Sequence, residues 1–235
     1  MPFLVTGGIA AVVLFVVYFV FPSMRKHLVE KNQRPKPLTV FSNILQNSNQ
    51  LLALLFNVVL MLGHFTIIPF IAPYMQINIG FSDYEVTYIY MVGGVLTVFL
   101  LPLFGRLSDR FGHARIFTFA SIGALVSIFV ITNLPPVSIV LALVATSSFF
   151  VVASGRNVPA LTMITSVVKP EHRGGFLSVR TSINSASMGL ASLISGFIVT
   201  EGVDGTLQNY AWVGYFAIIM SALAIVFAWR LKAVD

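Results

Sequence analysis

Two sets of residues in this chain stand at helical spacing and carry side chains able to bind a solute or move a proton. Asn57 and His64 lie seven residues apart within one apolar run, and Phe149 and Arg156 lie seven apart in another, with Met163 seven further on. Seven residues is close to two turns, so each set shares one helix face. The His64 imidazole can carry a proton or hydrogen-bond a solute, Asn57 can hydrogen-bond one, and the Arg156 guanidinium suits an anionic or hydroxylated group. A third group, GRLSDRFGHAR at 105–115, concentrates Arg106, Asp109, Arg110 and Arg115 between two apolar stretches. Cysteine is absent, and neither HExxH nor GxSxG occurs. No thiolate metal site, disulfide or catalytic constellation is therefore expected, nor any cofactor, and the chain does not read as an enzyme.

These residues need elements to hold them, and composition says which kind. Charged residues are 9% of the 235 and hydrophobic ones 57%, against about 25% charged in ordinary soluble domains; mean hydropathy is +0.91. Seven long apolar runs are present: 3–21, 51–74, 86–104, 116–134, 137–155, 177–199 and 210–229. Runs near 20 residues, apolar on most faces and without strict alternation, read as membrane helices rather than barrel strands. The expectation is an all-α polytopic membrane protein with seven transmembrane helices. The first run has no basic residue before it and no small-x-small cleavage site after it, so it is a span, not a signal peptide.

The formal charge of +6 does not imply nucleic acid, because of where the basic residues fall. All fourteen Lys and Arg follow alternate runs: five within 25–36, then Arg106, Arg110 and Arg115, then Arg156, Lys169, Arg173 and Arg180, and finally Arg230 and Lys232. The intervening loops, 75–85, 134–136 and 200–209, carry only acids, Asp83, Glu85, Glu201 and Asp204. This is the positive-inside pattern; it puts the basic loops and the C-terminus in the cytoplasm and the protein in a cell (inner, plasma) membrane, with the lipid bilayer as partner.

Three domains are expected: a single helix at 1–22, a polar cytoplasmic linker at 23–50 with Pro35 and Pro37, and a six-helix bundle at 51–235. A short amphipathic surface helix is expected at 42–50. Pro69 and Pro73 remove backbone donors late in the second run and predict a kink there. His64, near the middle of that run, is costly at mid-membrane: it is either functional or a neutral histidine satisfied by a neighbouring helix. Arg156 has two readings. Either the fifth run ends near Gly155 and Arg156 reaches the surface, or the helix continues to about Val168 and Arg156 lies inside it.

Physically, GRLSDRFGHAR is a tight turn in which Gly105 permits close helix approach, Gly112 is the permissive turn residue, Asp109 accepts from a helix end or pairs with Arg, and Arg110 and Arg115 anchor topology. Its pattern, G-x-L-x-D-R-x-G-x-x-R, resembles the signature cytoplasmic loop of the major facilitator superfamily. SGRNVPALTMITSVVKPEHRGGFLSVR at 154–180 and GHFTIIPFIAPY at 63–74 also resemble segments of its sugar- and drug-efflux permeases.

The resemblance implies that the first helix is the sixth of a twelve-helix fold and that the remaining six form one half, built from two inverted three-helix repeats. It implies that the fifth run continues through Arg156, and that the second and fifth runs line a central cavity where Asn57, His64, Phe149 and Arg156 would meet a small-molecule substrate. It implies that Gly105, Asp109, Arg110, Gly112 and Arg115 gate alternating access against an N-terminal half that is missing here, five helices being absent. The activity implied is secondary active transport of a sugar-like or drug-like solute, as proton-coupled efflux or antiport. A non-transporting fragment is the alternative. A seven-helix receptor fits less well, since the last run lacks a lysine for retinal and no extracellular disulfide can form.

Overall fold

The computed structural model describes residues 2–20 and 37–234. The expected linker up to Lys36, with its five basic residues, lies outside the described residues. Two units are distinguished, Met1–Lys36 and Pro37–Asp235. The first contributes α1 (Pro2–Val20), an apolar helix in which Phe15 and Phe19 rings meet one turn apart at 4.6 Å.

The second unit runs α2 (Pro37–Gln46), α3 (Ser48–Phe65), α4 (Ile68–Ile77), α5 (Asp83–Phe111), α6 (His113–Thr132), α7 (Ile139–Gly155), α8 (Asn157–Ser166), α9 (Arg173–Ile198), β1 (Thr200–Glu201), β2 (Leu207–Gln208) and α10 (Tyr210–Ala228). The chain is mostly helical as expected, with one departure: β1 and β2 form a two-residue antiparallel ladder within the 200–209 loop. Asn78, just past α4, holds that ladder by donating to the Leu207 carbonyl at 2.8 Å and accepting its N–H at 3.0 Å. In the turn, the Thr206 hydroxyl and N–H donate to Asp204 and keep its carboxyl below the usual range. The amphipathic helix also differs from expectation: it is α2, ends at Gln46, and sends Ile44 into the core.

Among the described residues, six segments are long and apolar enough to cross a membrane: Phe3–Val20, Ser48–Ile77, Asp83–Phe111, His113–Thr132, Ile139–Ser166 and Tyr210–Ala228. The remaining expected span, 177–199, is a helix, the 26-residue α9, but Arg180, Asn184 and a series of serines keep its hydropathy below the others. Its hydroxyls donate back along the helix, as Ser178 does to Gly174, Thr181 to Leu177, Ser182 to Ser178 and Ser187 to Ile183. These four hydroxyls are thus satisfied within the helix itself, whereas Arg180 and Asn184 bond across to α3.

Local chemistry explains the helix ends. Asn47 caps α3, its Oδ1 accepting the N–H groups of Asn49 and Gln50. Ser82 and Glu85 cap α5 reciprocally: Ser82 N–H and Oγ donate to the Glu85 carboxylate, and the Glu85 N–H donates to Ser82 Oγ. Between α5 and α6 the whole turn is one residue, Gly112, at φ 95° and ψ 136°. An L-residue there is strained by on the order of 1–3 kcal/mol. Gly112→Ala is therefore expected to lower stability by about that amount, measured as thermal unfolding in detergent; an unchanged midpoint would mean the turn relaxes to negative φ.

Cross-links identify the two ends of the bundle. Asn49 bonds Lys232 in both directions, Val234 N–H donates to Ser166, and Trp229 Nε1 donates to Thr118, so the starts of α3 and α6, the end of α8 and the tail after α10 share one end. Arg106, Arg110, Arg115, Lys169, Arg173, Arg230 and Lys232 lie at that end. Arg156 and Arg180 stand farther in, Arg156 within the Ile139–Ser166 segment and Arg180 seven residues into α9. The buried apolar residues form two clusters. One surrounds Phe56, Phe117, Met163 and Ala224 toward the basic end, and the other surrounds Ile71, Ile128, Phe149 and Tyr210 toward the hairpin.

Candidate functional site

Both helices expected to carry solute-binding residues are interrupted, and proline chemistry says where. α3 ends at Phe65, Thr66 and Ile67 form a turn, and α4 restarts with Pro69 near its first position. Pro69 has no N–H to give the carbonyl one turn back, so the ladder breaks there. Pro73, by contrast, sits inside a continuous α4. Side chains add bonds around the break: the Thr66 hydroxyl donates to Leu62 O at 2.8 Å, and the Tyr210 hydroxyl, from α10, donates to Ile67 O at 3.1 Å. α7 and α8 repeat this arrangement. They meet at Arg156, three residues before Pro159, and Asn157 donates to Ala153 O at 3.1 Å. The 139–166 segment is continuous enough to span, so Arg156 lies inside it and not at a surface. Ten residues separate it from the end of α8, about 15 Å of helix.

The Arg156 side chain is wholly buried, as are Asn57 and Phe149, and His64 is 7% exposed. Arg156 Nη1 donates to Ser221 Oγ of α10 at 2.9 Å, and Nη2 reaches the Gly63 carbonyl of α3 at 3.5 Å. His64, the next residue, stacks on Phe149 with centroids 5.8 Å apart and 16° between planes. His64 Nδ1 and Arg156 Nε are buried with no hydrogen-bond partner among the described residues. This layer of Gly63, His64, Arg156 and Ser221 separates the two apolar clusters. Each member falls between residues of one cluster and residues of the other along its own helix: Met61 and Ile67, Ala153 and Ala160, Ala217 and Ala224. Ser121 of α6, between Phe117 and Ile128, follows the same rule and has an unpartnered buried hydroxyl.

Asn57 shares the buried side of α3 with His64 but joins a different group. Its Oδ1 accepts Arg180 Nε at 3.1 Å and its Nδ2 donates to Asn184 Oδ1 at 3.4 Å, both from α9. Thus His64, Phe149 and Arg156 come together, and Asn57 bonds instead across the α3–α9 contact. The full burial of Arg156, Asn57 and Phe149 means that none of them lines an open cavity. The polar cavity of about 340 Å³ at the hairpin end, bordered by Tyr74, Asn78, Asn133 and Tyr210, includes none of the four.

In the 105–115 segment, α5 continues through Phe111, so Gly105, Asp109 and Arg110 are helical residues and only Gly112 turns. Gly105 does not serve a close approach: a Cβ there would meet only Val158 at 3.9 Å. Asp109 is exposed and forms no hydrogen bond or ion pair among the described residues. Arg115 is exposed, and Arg110 lies 5.2 Å from the Phe111 ring centroid. What ties the turn is a bond between Ser108 Oγ and His113 Nδ1 at 2.9 Å, together with Gly112 N–H donating to Ser108 O at 2.9 Å. Sequence reasoning missed Ser108, His113, Gly63, Ser221 and Asn184 as site residues, and took Arg180 only as a topology charge. The serines carry no local signal, whereas Asn184 and Arg180 were legible as polar residues inside an apolar run.

The Major Facilitator Superfamily description matches this sequence over residues 1–155 and again over 53–235. An uncharacterized membrane protein of Saccharomyces cerevisiae is 29% identical over 138 residues, which is 53% of this chain and 24% of that protein's length.

Proposed function

The chain belongs to the major facilitator superfamily, whose members are transporters and not enzymes, and from that premise we propose that it moves a small solute by alternating access as part of a secondary active transporter. The observation that carries the reading is the mid-span polar layer at two interrupted helices, with spare buried hydrogen-bonding capacity at His64 Nδ1 and Arg156 Nε. Buried polar atoms are nearly always paired, so these two orphans, with Ser121 Oγ at the same level, mark a place where a partner comes and goes. Discontinuous helices supply such places at mid-membrane.

In this reading Asn57, His64, Phe149 and Arg156 form the solute-binding region. The conformation described is one in which Arg156 is packed away and must be released by movement of α8 against α10. His64 is the titratable group that couples solute to proton movement. The cargo is sugar-like or drug-like and travels outward, in an inner (plasma) membrane with the basic end and C-terminus in the cytoplasm. α9 serves as the seventh span, and the six spans from α3 to α10 form two inverted three-helix repeats, each opened by its proline-broken helix. Asp109, Arg110 and Arg115, exposed and uncompensated at the Gly112 turn, meet a second half of the transporter as the halves rock.

Proteoliposomes with an imposed pH gradient test this directly. Wild-type protein is expected to transport faster with the gradient than without it, and His64→Ala to lose that stimulation at least fivefold while keeping its fold by size exclusion. Gradient-driven transport that His64→Ala leaves untouched would end the coupling assignment.

A further inference from the structure

The α3–α9 contact holds a second cation, and its surroundings differ from those of Arg156. Arg180 stands seven residues into α9, about 10 Å of helix from its start, and is half-buried where Arg156 is sealed. Asn57 grips it at Nε, and Asn57 is itself fixed: it is fully buried, its Oδ1 faces the guanidinium, and its Nδ2 is committed to Asn184. Asn184 in turn donates to Met188 Sδ at 3.4 Å. The chain of bonds orients one nitrogen of the guanidinium and leaves both terminal nitrogens without a partner among the described residues. Four of its five N–H donors remain, in the planar fork that matches a carboxylate or phosphate.

No described acid is placed to neutralise this charge. Asp83, Glu85, Glu201 and Asp204 are at the hairpin end, and Asp109 and Glu171 flank the turns at the other. Nor does the neighbouring helix surface suit lipid chains. Beside Arg180 the exposed residues of α9 are Ser178, Thr181, Ser182 and Ser185, whereas farther along the same helix they include Leu190, Leu193 and Phe197. An exposed hydroxyl face beside an unneutralised cation belongs to a water-filled path.

We propose that Arg180, positioned by Asn57, coordinates an oxyanion on the transported solute, so that the cargo is a sugar-like or drug-like molecule bearing a carboxylate or phosphate. This rests on the transporter reading above and supplies its substrate class. Asn57 is the positioning residue, and Arg180 is the group that touches the cargo.

The test uses protein purified at its full natural length, with gluconate and inorganic phosphate as anionic probes, glucose as the neutral one, tetraphenylphosphonium as the cationic one and dihexanoyl phosphatidylglycerol as a lipid headgroup. Calorimetry is expected to show gluconate or phosphate binding at least tenfold tighter than glucose. Arg180→Gln should lose that tenfold, Arg180→Lys should recover part of it, and Asn57→Ala should weaken it severalfold. Where Arg180→Gln does not fold, phenylglyoxal labelling of wild-type Arg180, read by mass spectrometry, should be slowed severalfold by gluconate or phosphate.

Equal affinity for glucose and gluconate overturns the proposal. So does protection by phosphatidylglycerol alone, which would make Arg180 a lipid anchor, or absence of any anion effect, which would make it a structural link between α9 and α3 through Asn57. Uptake into phosphatidylcholine vesicles separates the two readings. Arg180-dependent anion binding without uptake of any probe refutes transport and keeps the oxyanion site; uptake of glucose or tetraphenylphosphonium that Arg180→Gln does not change refutes the oxyanion site and keeps transport.

Discussion

Replacing Arg156 with methionine is expected to lower transport at least tenfold while leaving thermal stability equal to or above wild type. Burying a guanidinium costs several kcal/mol after protein relaxation. Arg156 recovers little of this: it has one good bond to Ser221 Oγ, a 3.5 Å contact to Gly63 O at the limit of hydrogen bonding, and an orphan Nε. A bond from a charged donor contributes about 1.5–3 kcal/mol net, so the sum is near zero or unfavourable. Methionine fills comparable space without charge and adapts to irregular gaps. The charge of Arg156 is therefore a cost to stability that methionine would remove. Unfolding followed by tryptophan fluorescence and solute uptake in vesicles measure the two halves of the expectation. A midpoint that falls by several degrees with uptake unchanged would make Arg156 a structural strut and remove it from the binding region.

The second large effect is expected at Gly63. A Cβ added there would stand 2.6 Å from Ser221 Oγ and 3.1 Å from both Ala217 O and Ser221 N. The first contact is a short side chain and can turn away; the other two are α10 backbone and cannot. Overpacking of this kind costs about 1–3 kcal/mol, and membrane helices depend on close backbone approach because lipid offers them no hydrophobic drive to associate. Gly63→Ala should lower stability by that amount and reduce transport too, since the Ser221 hydroxyl it displaces is the better of Arg156's two acceptors. Adding Ser221→Ala relieves only the side-chain contact, so the double variant should regain part of the stability and none of the transport. A double-mutant cycle in which the two changes simply add would show that Gly63 and Ser221 do not press on each other.

Much of the scaffold was legible because its causes are local. Pro69 acts on a carbonyl within its own segment, and the break falls one turn before it, whereas Pro73, expected to contribute to the kink, sits inside a continuous α4. Gly112 was readable as a turn because only glycine tolerates its φ. The span at 177–199 was the weakest reading for a reason also visible in the residues: Arg180, Asn184 and the serines make α9 polar enough to fall below the six clearly apolar segments. Helical periodicity likewise put Phe149 and Arg156 on one face. It could not say that Asn57 and His64, also on one face, would bond to different helices, because periodicity describes a single helix and not its neighbours.

The family reading also followed from sequence, since the signature around Asp109 is a linear motif, and the match over 1–155 and 53–235 bears it out. The polar residues along α3 and α7–α8, and the membrane-crossing character of most helices, were fixed by residue type and order. Only the tertiary arrangement decided that Arg156 points into the bundle toward Gly63 and Ser221, that a polar layer divides the apolar core, and that Arg180 is held by Asn57. Gly63 and Ser221 are separated by more than half the chain and brought together by close α3–α10 packing. Which side chains meet across that contact depends on interhelical distance and rotation, quantities set jointly by many residues and written in no single stretch of the sequence.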